Sequence, residues 1–236
     1  MARAPLTGEL RIACASNFYP TLKRLATLFR EDHPRVELAL VSGSSGHLYQ
    51  QIRHGAPYHL FLSADRDYPA ALHQHSGSGE PRTYALGRLA LWNPRGLGLN
   101  KQRGYTLAIA NPATAPYGRA GEAAIGHYRS ERPAPRWRTV VAANISQATQ
   151  LVDSGNADLG LVALSLILHR RGEYRLVPAA WYQPLVQQGV VVDTGNPLAE
   201  TFMAFLLSDA AGRVIRDAGY ALPESSTGGG SDGLDR

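Results

Sequence analysis

Apolar residues along this chain come in short runs whose spacing switches between two periods. Leu10, Ile12 and Cys14 repeat every second residue, as on one face of a strand. Phe18, Leu22, Leu25, Leu28 and Phe29 then recur at helical spacing. Pro20 falls in the first turn of that helix, where a missing N–H is tolerated. Pro34 marks its end. Residues 36–41 read as a second strand, His47 opens a short helix that stops at Gly55, and residues 60–63 form a third strand. Residues 84–92 read as one long strand crossing between two halves of the molecule. Residues 107–110 are a strand followed by a Pro-rich turn and a helix from about Gly118. Residues 140–143 lead into a helix near Gln147, and 159–163 into a helix reaching Arg171. Residues 190–192 form a strand returning to the first half, and 198–207 and 210–218 are closing helices. Residues 129–138, with Pro133 and Pro135, form a surface connection. Short strands alternating with helices predict an α/β fold with mainly parallel pairing. No internal repeat is visible.

Composition narrows the class. At 236 residues and 44% hydrophobic, the chain can bury a sizeable core. Its apolar runs, such as 159–168, fall short of the ~18–20 residues of a membrane span. The net charge of +5 is carried almost entirely by arginine, since Lys23 and Lys101 are the only lysines. The arginines are scattered rather than clustered in a stripe, which argues against nucleic-acid binding while still favouring the approach of anions. Cys14 is the only cysteine, so intramolecular disulfides are excluded and the residue reads as part of the core. Residues 1–9 hold no apolar leader segment. The glycine-rich stretch 225–236 reads as a disordered tail.

Four strand-to-helix junctions share one chemistry: Ala15-Ser16-Asn17-Phe18, Ser42-Gly43-Ser44-Ser45-Gly46, Ala115-Pro116-Tyr117-Gly118 and Asn144-Ile145-Ser146-Gln147. Each places small or hydroxyl-bearing residues where a helix begins. Helix starts carry unsatisfied N–H groups and a partial positive charge, and bind anions. In open α/β sheets they also lie at the carboxyl ends of strands, where ligands sit. Serine and asparagine are equally ordinary helix caps, so the residues alone fit either reading. No Gly-x-x-x-x-Gly-Lys-Ser/Thr loop is present, and no Gly-x-Ser-x-Gly elbow. Ser44 and Ser45 have no histidine–acid pair at catalytic spacing, which argues against an enzyme. His73 and His75 occupy alternate helix positions that point apart, and predict no metal site. Asp65, Asp153 and Asp158 read as solvated or capping residues.

In order and spacing, a longer set of stretches resembles the molybdate-binding proteins of bacterial ABC importers over about residues 8–223. Besides the first three junctions, these are Gln51-Ile52-Arg53-His54-Gly55-Ala56-Pro57, Phe61-Leu62-Ser63-Ala64-Asp65, Tyr84-Ala85-Leu86-Gly87-Arg88-Leu89, Ile109-Ala110-Asn111-Pro112, Ser154-Gly155-Asn156-Ala157-Asp158-Leu159-Gly160 and Gly219-Tyr220. The resemblance implies a type II periplasmic-binding-protein fold, with residues 1–84 and 194–224 in one lobe and 85–193 in the other. It implies a monomeric, exported, periplasmic protein that needs no cofactor, inserts in no membrane and delivers molybdate or tungstate to a membrane permease. The positions matching the family's oxyanion contacts are Ser16, Asn17, Ser45, Tyr117 and Ile145. Ser16 and Ser45 would each give a hydroxyl and an N–H, and the other three mainly backbone N–H groups. Some family members carry an ion-binding tyrosine where this chain has Ala163. Its absence implies an extra donor from Asn17. A pocket of neutral donors would reject phosphate, whose proton needs an acceptor, and would exclude sulfate by size. A carrier of another oxyanion such as sulfate, or an oxyanion-sensing regulatory domain, is the alternative.

Overall fold

The structure, a computed structural model, describes residues 6–97, 104–131 and 137–223. β1 (Gly8–Ala15) pairs in parallel with β2 (Val36–Gly43) on one side and β3 (Leu60–Leu62) on the other. β10 (Leu185–Val191) lies antiparallel to β3, and β4 (Arg82–Gly87) antiparallel to β10. The first sheet therefore runs β2-β1-β3-β10-β4. The second contains β5 (Leu89–Asn93), β6 (Tyr105–Ala110), β7 (Trp137–Ala142), β8 (Leu159–Ala163) and β9 (Glu173–Leu176), in the order β7-β6-β8-β5-β9. In it, β6 is parallel to β7 and β8, and β5 is antiparallel to β8 and β9.

Each sheet has its own core, so the molecule has two lobes. β1 is buried on both faces, as a central parallel strand must be. Leu10, Ile12 and Cys14 pack with Leu22, Leu25 and Phe29 of α1 (Tyr19–Asp32) and with Phe202 and Met203 of α7 (Pro197–Leu206). Ala13, on the opposite face, meets Leu48 of α2 (Ser45–Arg53) and Leu72 of α3 (Asp67–Ser76). Each such fully buried Leu or Phe contributes about 1.5–3 kcal/mol. The second core gathers Trp92, Tyr105, Leu107, Leu159 and Val162 beneath α4 (Pro116–Glu131) and α5 (Ile145–Asp153). α8 (Asp209–Asp217) completes the first lobe, adding Ile215 to its core. Among the described residues, no helix is long and apolar enough to cross a membrane.

Several expectations shift. The strand expected over 84–92 is two strands, β4 in the first sheet and β5 in the second, with Arg88 between them. The return strand β10 starts at Leu185 and pairs with β4, Gln187 standing opposite Ala85. Both strands lie in the first sheet, although residues 85–193 were expected together in the second lobe. This pairing joins segments about a hundred positions apart, which local periodicity does not report. The helix expected to reach Arg171 is a short α6 (Leu164–Ile167). α2 and α4 start at Ser45 and Pro116, earlier than expected, and α5 at Ile145. All three thus begin within the junctions themselves. β9 was not foreseen: Glu173, Tyr174, Arg175 and Leu176 alternate polar and apolar, but the run is only four residues long and all four are exposed. The tail call at 225–236, and residues 132–136 of the surface connection, lie outside the described residues.

Candidate functional site

All four junctions meet where the two lobes face each other. Ala15, Ser16, Asn17, Gly43, Ser44, Ser45 and Ala64 from the first lobe, with Ala115, Pro116, Tyr117 and Ile145 from the second, line one small cavity. All five residues singled out from the sequence are among them. Its volume of about 10 Å³ is room for about one water-sized guest, far below the ~300 Å³ or more of organic-ligand pockets. Among the described residues, the lining contains no Asp, Glu, His, Lys or Arg.

The fate of each donor decides between capping and ligand binding. At the second junction Ser44 is the N-cap of α2, yet its side chain makes no capping bond. α1 begins without a side-chain cap as well. α5 is capped in the ordinary way: Asn144 Oδ1 accepts the Gln147 N–H at 3.0 Å. Among the described residues, the backbone N–H groups of Asn17, Ser45, Tyr117 and Ile145 donate to no protein acceptor. Ser16 differs from expectation. Its N–H donates to Gly43 O at 2.9 Å, continuing the β1–β2 ladder, so only its hydroxyl remains for a ligand. The Ser45 hydroxyl accepts the Ala64 N–H at 3.0 Å and keeps its own proton to donate.

Asn17 also departs from expectation. Its amide nitrogen donates to Gln187 Oε1 and to the Tyr220 hydroxyl, both at 3.0 Å. The extra ligand donor expected from this side chain is therefore spent inside the protein. Asn17 Oδ1 is buried and accepts no bond from the described residues. The Tyr117 ring is buried and its hydroxyl points to the inter-lobe strands, 3.4 Å from Gln187 Nε2, so what this residue offers the cavity is its N–H. Burial pushes the Tyr117 phenol well above its ordinary pKa, and it stays neutral. Ala163 ends β8, fully buried, and does not line the cavity.

Direct bonds tie the two lobes around the cavity. The Gly46 N–H donates to Thr114 O at 2.8 Å. The Ser146 hydroxyl donates to Ser16 O at 2.9 Å, and the Ser165 hydroxyl to Asn17 O at 3.3 Å. Arg119 on α4 pairs with Asp65 of the first lobe at 2.5 Å. Asp65 is thus neither solvated nor a simple cap, but a mostly buried carboxylate. Burial raises its pKa, while the Ser63 hydroxyl and Arg119 pull it down. No local pattern announced this pair, because its members lie 54 positions apart. Gly46 allows the close approach: a Cβ there would sit 2.9 Å from Thr114 O and closer still to the Tyr68 hydroxyl. Away from the cleft, His73 Nδ1 contacts Ser78 O and His75 Nδ1 contacts Ala71 O, on separate carbonyls. Cys14 is fully buried, and desolvation pushes its thiol pKa well up.

Comparison with known proteins matches this architecture. Residues 10–221 fit the family described as bacterial extracellular solute-binding protein. The molybdate-binding protein ModA of Azotobacter vinelandii is 35% identical over 94% of this chain and 93% of its own length. ModA of Rhodobacter capsulatus is 33% identical over 93% of this chain and 91% of its own. The solved structure of the Azotobacter vinelandii periplasmic molybdate-binding protein superposes with a TM-score of 0.82 at 36% identity, covering 91% of this chain and all of the other. The two-lobed fold and these matches together establish that the chain belongs to the bacterial extracellular solute-binding protein family, among the relatives of the ModA proteins.

Proposed function

We propose that this chain binds molybdate in the cavity between its lobes, in the periplasm, and delivers it to the permease of an ABC transporter. The observation that carries this reading is the convergence of four unspent helix-start N–H groups, from Asn17, Ser45, Tyr117 and Ile145, with the hydroxyls of Ser16 and Ser45. A compact dianion satisfies such donors and complements the positive helix ends without any cationic side chain. The naming of the relatives as molybdate-binding proteins supports the choice of ion. Tungstate has nearly the same size and the same acceptor set, so it fits the same donors. The lining offers neither a general base nor an activated nucleophile, which supports binding rather than catalysis. Contacts from both lobes give the ion the differential affinity that closure requires.

Thermal unfolding with molybdate, tungstate, sulfate and phosphate tests the reading. A ligand at a thousand times its Kd stabilises by about 4.1 kcal/mol. Molybdate and tungstate are expected to raise Tm clearly, and sulfate and phosphate little. Absence of stabilisation by all four overturns the proposal. Stabilisation by phosphate alone shows that a protonated ion is preferred and overturns the choice of molybdate.

A further inference from the structure

We propose that Gln187 is a positioning residue for the oxyanion site, holding the Asn17 junction in register with the inter-lobe strands without touching the ion. Gln187 lies on β10, fully buried. Buried glutamine is uncommon and costly unless its amide is bonded at both ends. Here both ends are bonded. Its Oε1 accepts from Asn17 Nδ2 at 3.0 Å and from the Tyr84 hydroxyl at 3.2 Å, and its Nε2 lies 3.4 Å from the Tyr117 hydroxyl. This one side chain therefore reaches a cavity-lining residue of each lobe. The ladder between β10 and β4 shifts register between Gln187 and Gln188, and such a bulge re-aims a side chain. The opposing strand is cut back to make room. A Cβ on Gly87 would lie 2.7 Å from Gln187 Nε2 and would collide with the Tyr117 hydroxyl.

These contacts divide the labour within Asn17. Its side chain is anchored to Gln187 and Tyr220, while its backbone N–H is unspent at the cavity wall. Fixing the side chain fixes the peptide plane that carries the N–H, and small misplacements of a supporting group weaken a preorganised site. The inference rests on the oxyanion reading above.

Wild-type protein is titrated with molybdate first; no binding there overturns the proposed function itself. Q187M keeps the length and volume of the side chain and removes its hydrogen bonds. Measured at a temperature where circular dichroism shows it folded, its molybdate Kd is expected to rise about tenfold or more. Loss of stability alone does not move the Kd of folded protein, so a Kd within twofold of wild type overturns the proposal. N17A cuts the same link from its other end, together with the bond to Tyr220, and keeps the backbone N–H. The double variant is expected to bind no more than about twofold worse than the weaker single variant, whereas additive losses overturn the link. Should Q187M fail to fold, N17A carries the comparison under the same twofold criterion.

Discussion

Replacing Ser45 with alanine removes one oxygen that serves two partners, and the structure separates the two costs. The Ser45 hydroxyl accepts the N–H of Ala64, which is 2% exposed. Without that oxygen the Ala64 N–H is buried and unpaired, costing about 1–3 kcal/mol of folding stability. In a chain of 236 residues each kcal/mol shifts Tm by roughly 2–4 °C. The second cost appears only with ligand. The hydroxyl proton is a donor to a charged acceptor, a bond contributing about 1.5–3 kcal/mol. At about 1.4 kcal/mol per factor of ten, the molybdate Kd rises about tenfold to a hundredfold. Calorimetric titration at fixed ionic strength reads this term, and thermal unfolding without ligand reads the first. Ser45→Thr keeps the oxygen and serves as the control. A lowered Tm with an unchanged Kd would mean that the hydroxyl serves Ala64 alone, and the assignment of Ser45 as a side-chain donor would fail.

Tyr117→Phe removes a hydroxyl that faces the inter-lobe strands rather than the cavity, so the molybdate Kd is expected to change less than about threefold while Tm falls by a few degrees. A large loss of affinity in titration refutes the backbone assignment at this junction. Arg119→Ala removes the partner of Asp65 and costs about 1.5–3 kcal/mol near neutral pH. The sign of its pH dependence follows from burial, which already raises the Asp65 pKa above 3.8; losing Arg119 lifts it further. A raised folded-state pKa penalises the folded form only once the carboxyl ionises, so the destabilisation seen in urea melts shrinks as pH falls toward 3.8 and is largest at neutral pH. A penalty independent of pH contradicts the pairing. Gly46→Ala places a methyl against Thr114 O and the Tyr68 hydroxyl, and is expected to hold the lobes apart. Solution scattering with saturating molybdate reads this as a larger radius of gyration than wild type, and an unchanged radius refutes it.

How much the sequence revealed depended on the range of each interaction. The alternation at Leu10, Ile12 and Cys14, and the helical spacing through Phe29, are local patterns, and β1 and α1 follow them. The junction residues were legible because helix starts have a local chemistry, and the structure gathers all five into one cavity. What each donor does there was not legible. The Ser16 N–H is spent in a ladder with Gly43, and the Asn17 amide on Gln187, 170 positions away. Gln187 lay outside the strand expected at 190–192, and nothing local marked it. Asp65 and Arg119 likewise gave no sign of each other. The Asn17–Gln187 and Asp65–Arg119 pairs join segments distant in the chain, a tertiary fact with no local signature.

The bonds joining the lobes have a consequence for how tightly the ion is held. Gly46 to Thr114, Ser146 to Ser16, Ser165 to Asn17 and Arg119 to Asp65 join the lobes through groups other than the unspent cavity donors. Bonds of this kind favour the shut form over the open one, and observed affinity scales with the population of the competent form. Affinity can therefore be tuned at the rim, leaving every donor in the cavity as it is. The same bonds oppose release: on the proposed function, an ion leaves only after the clasp has broken.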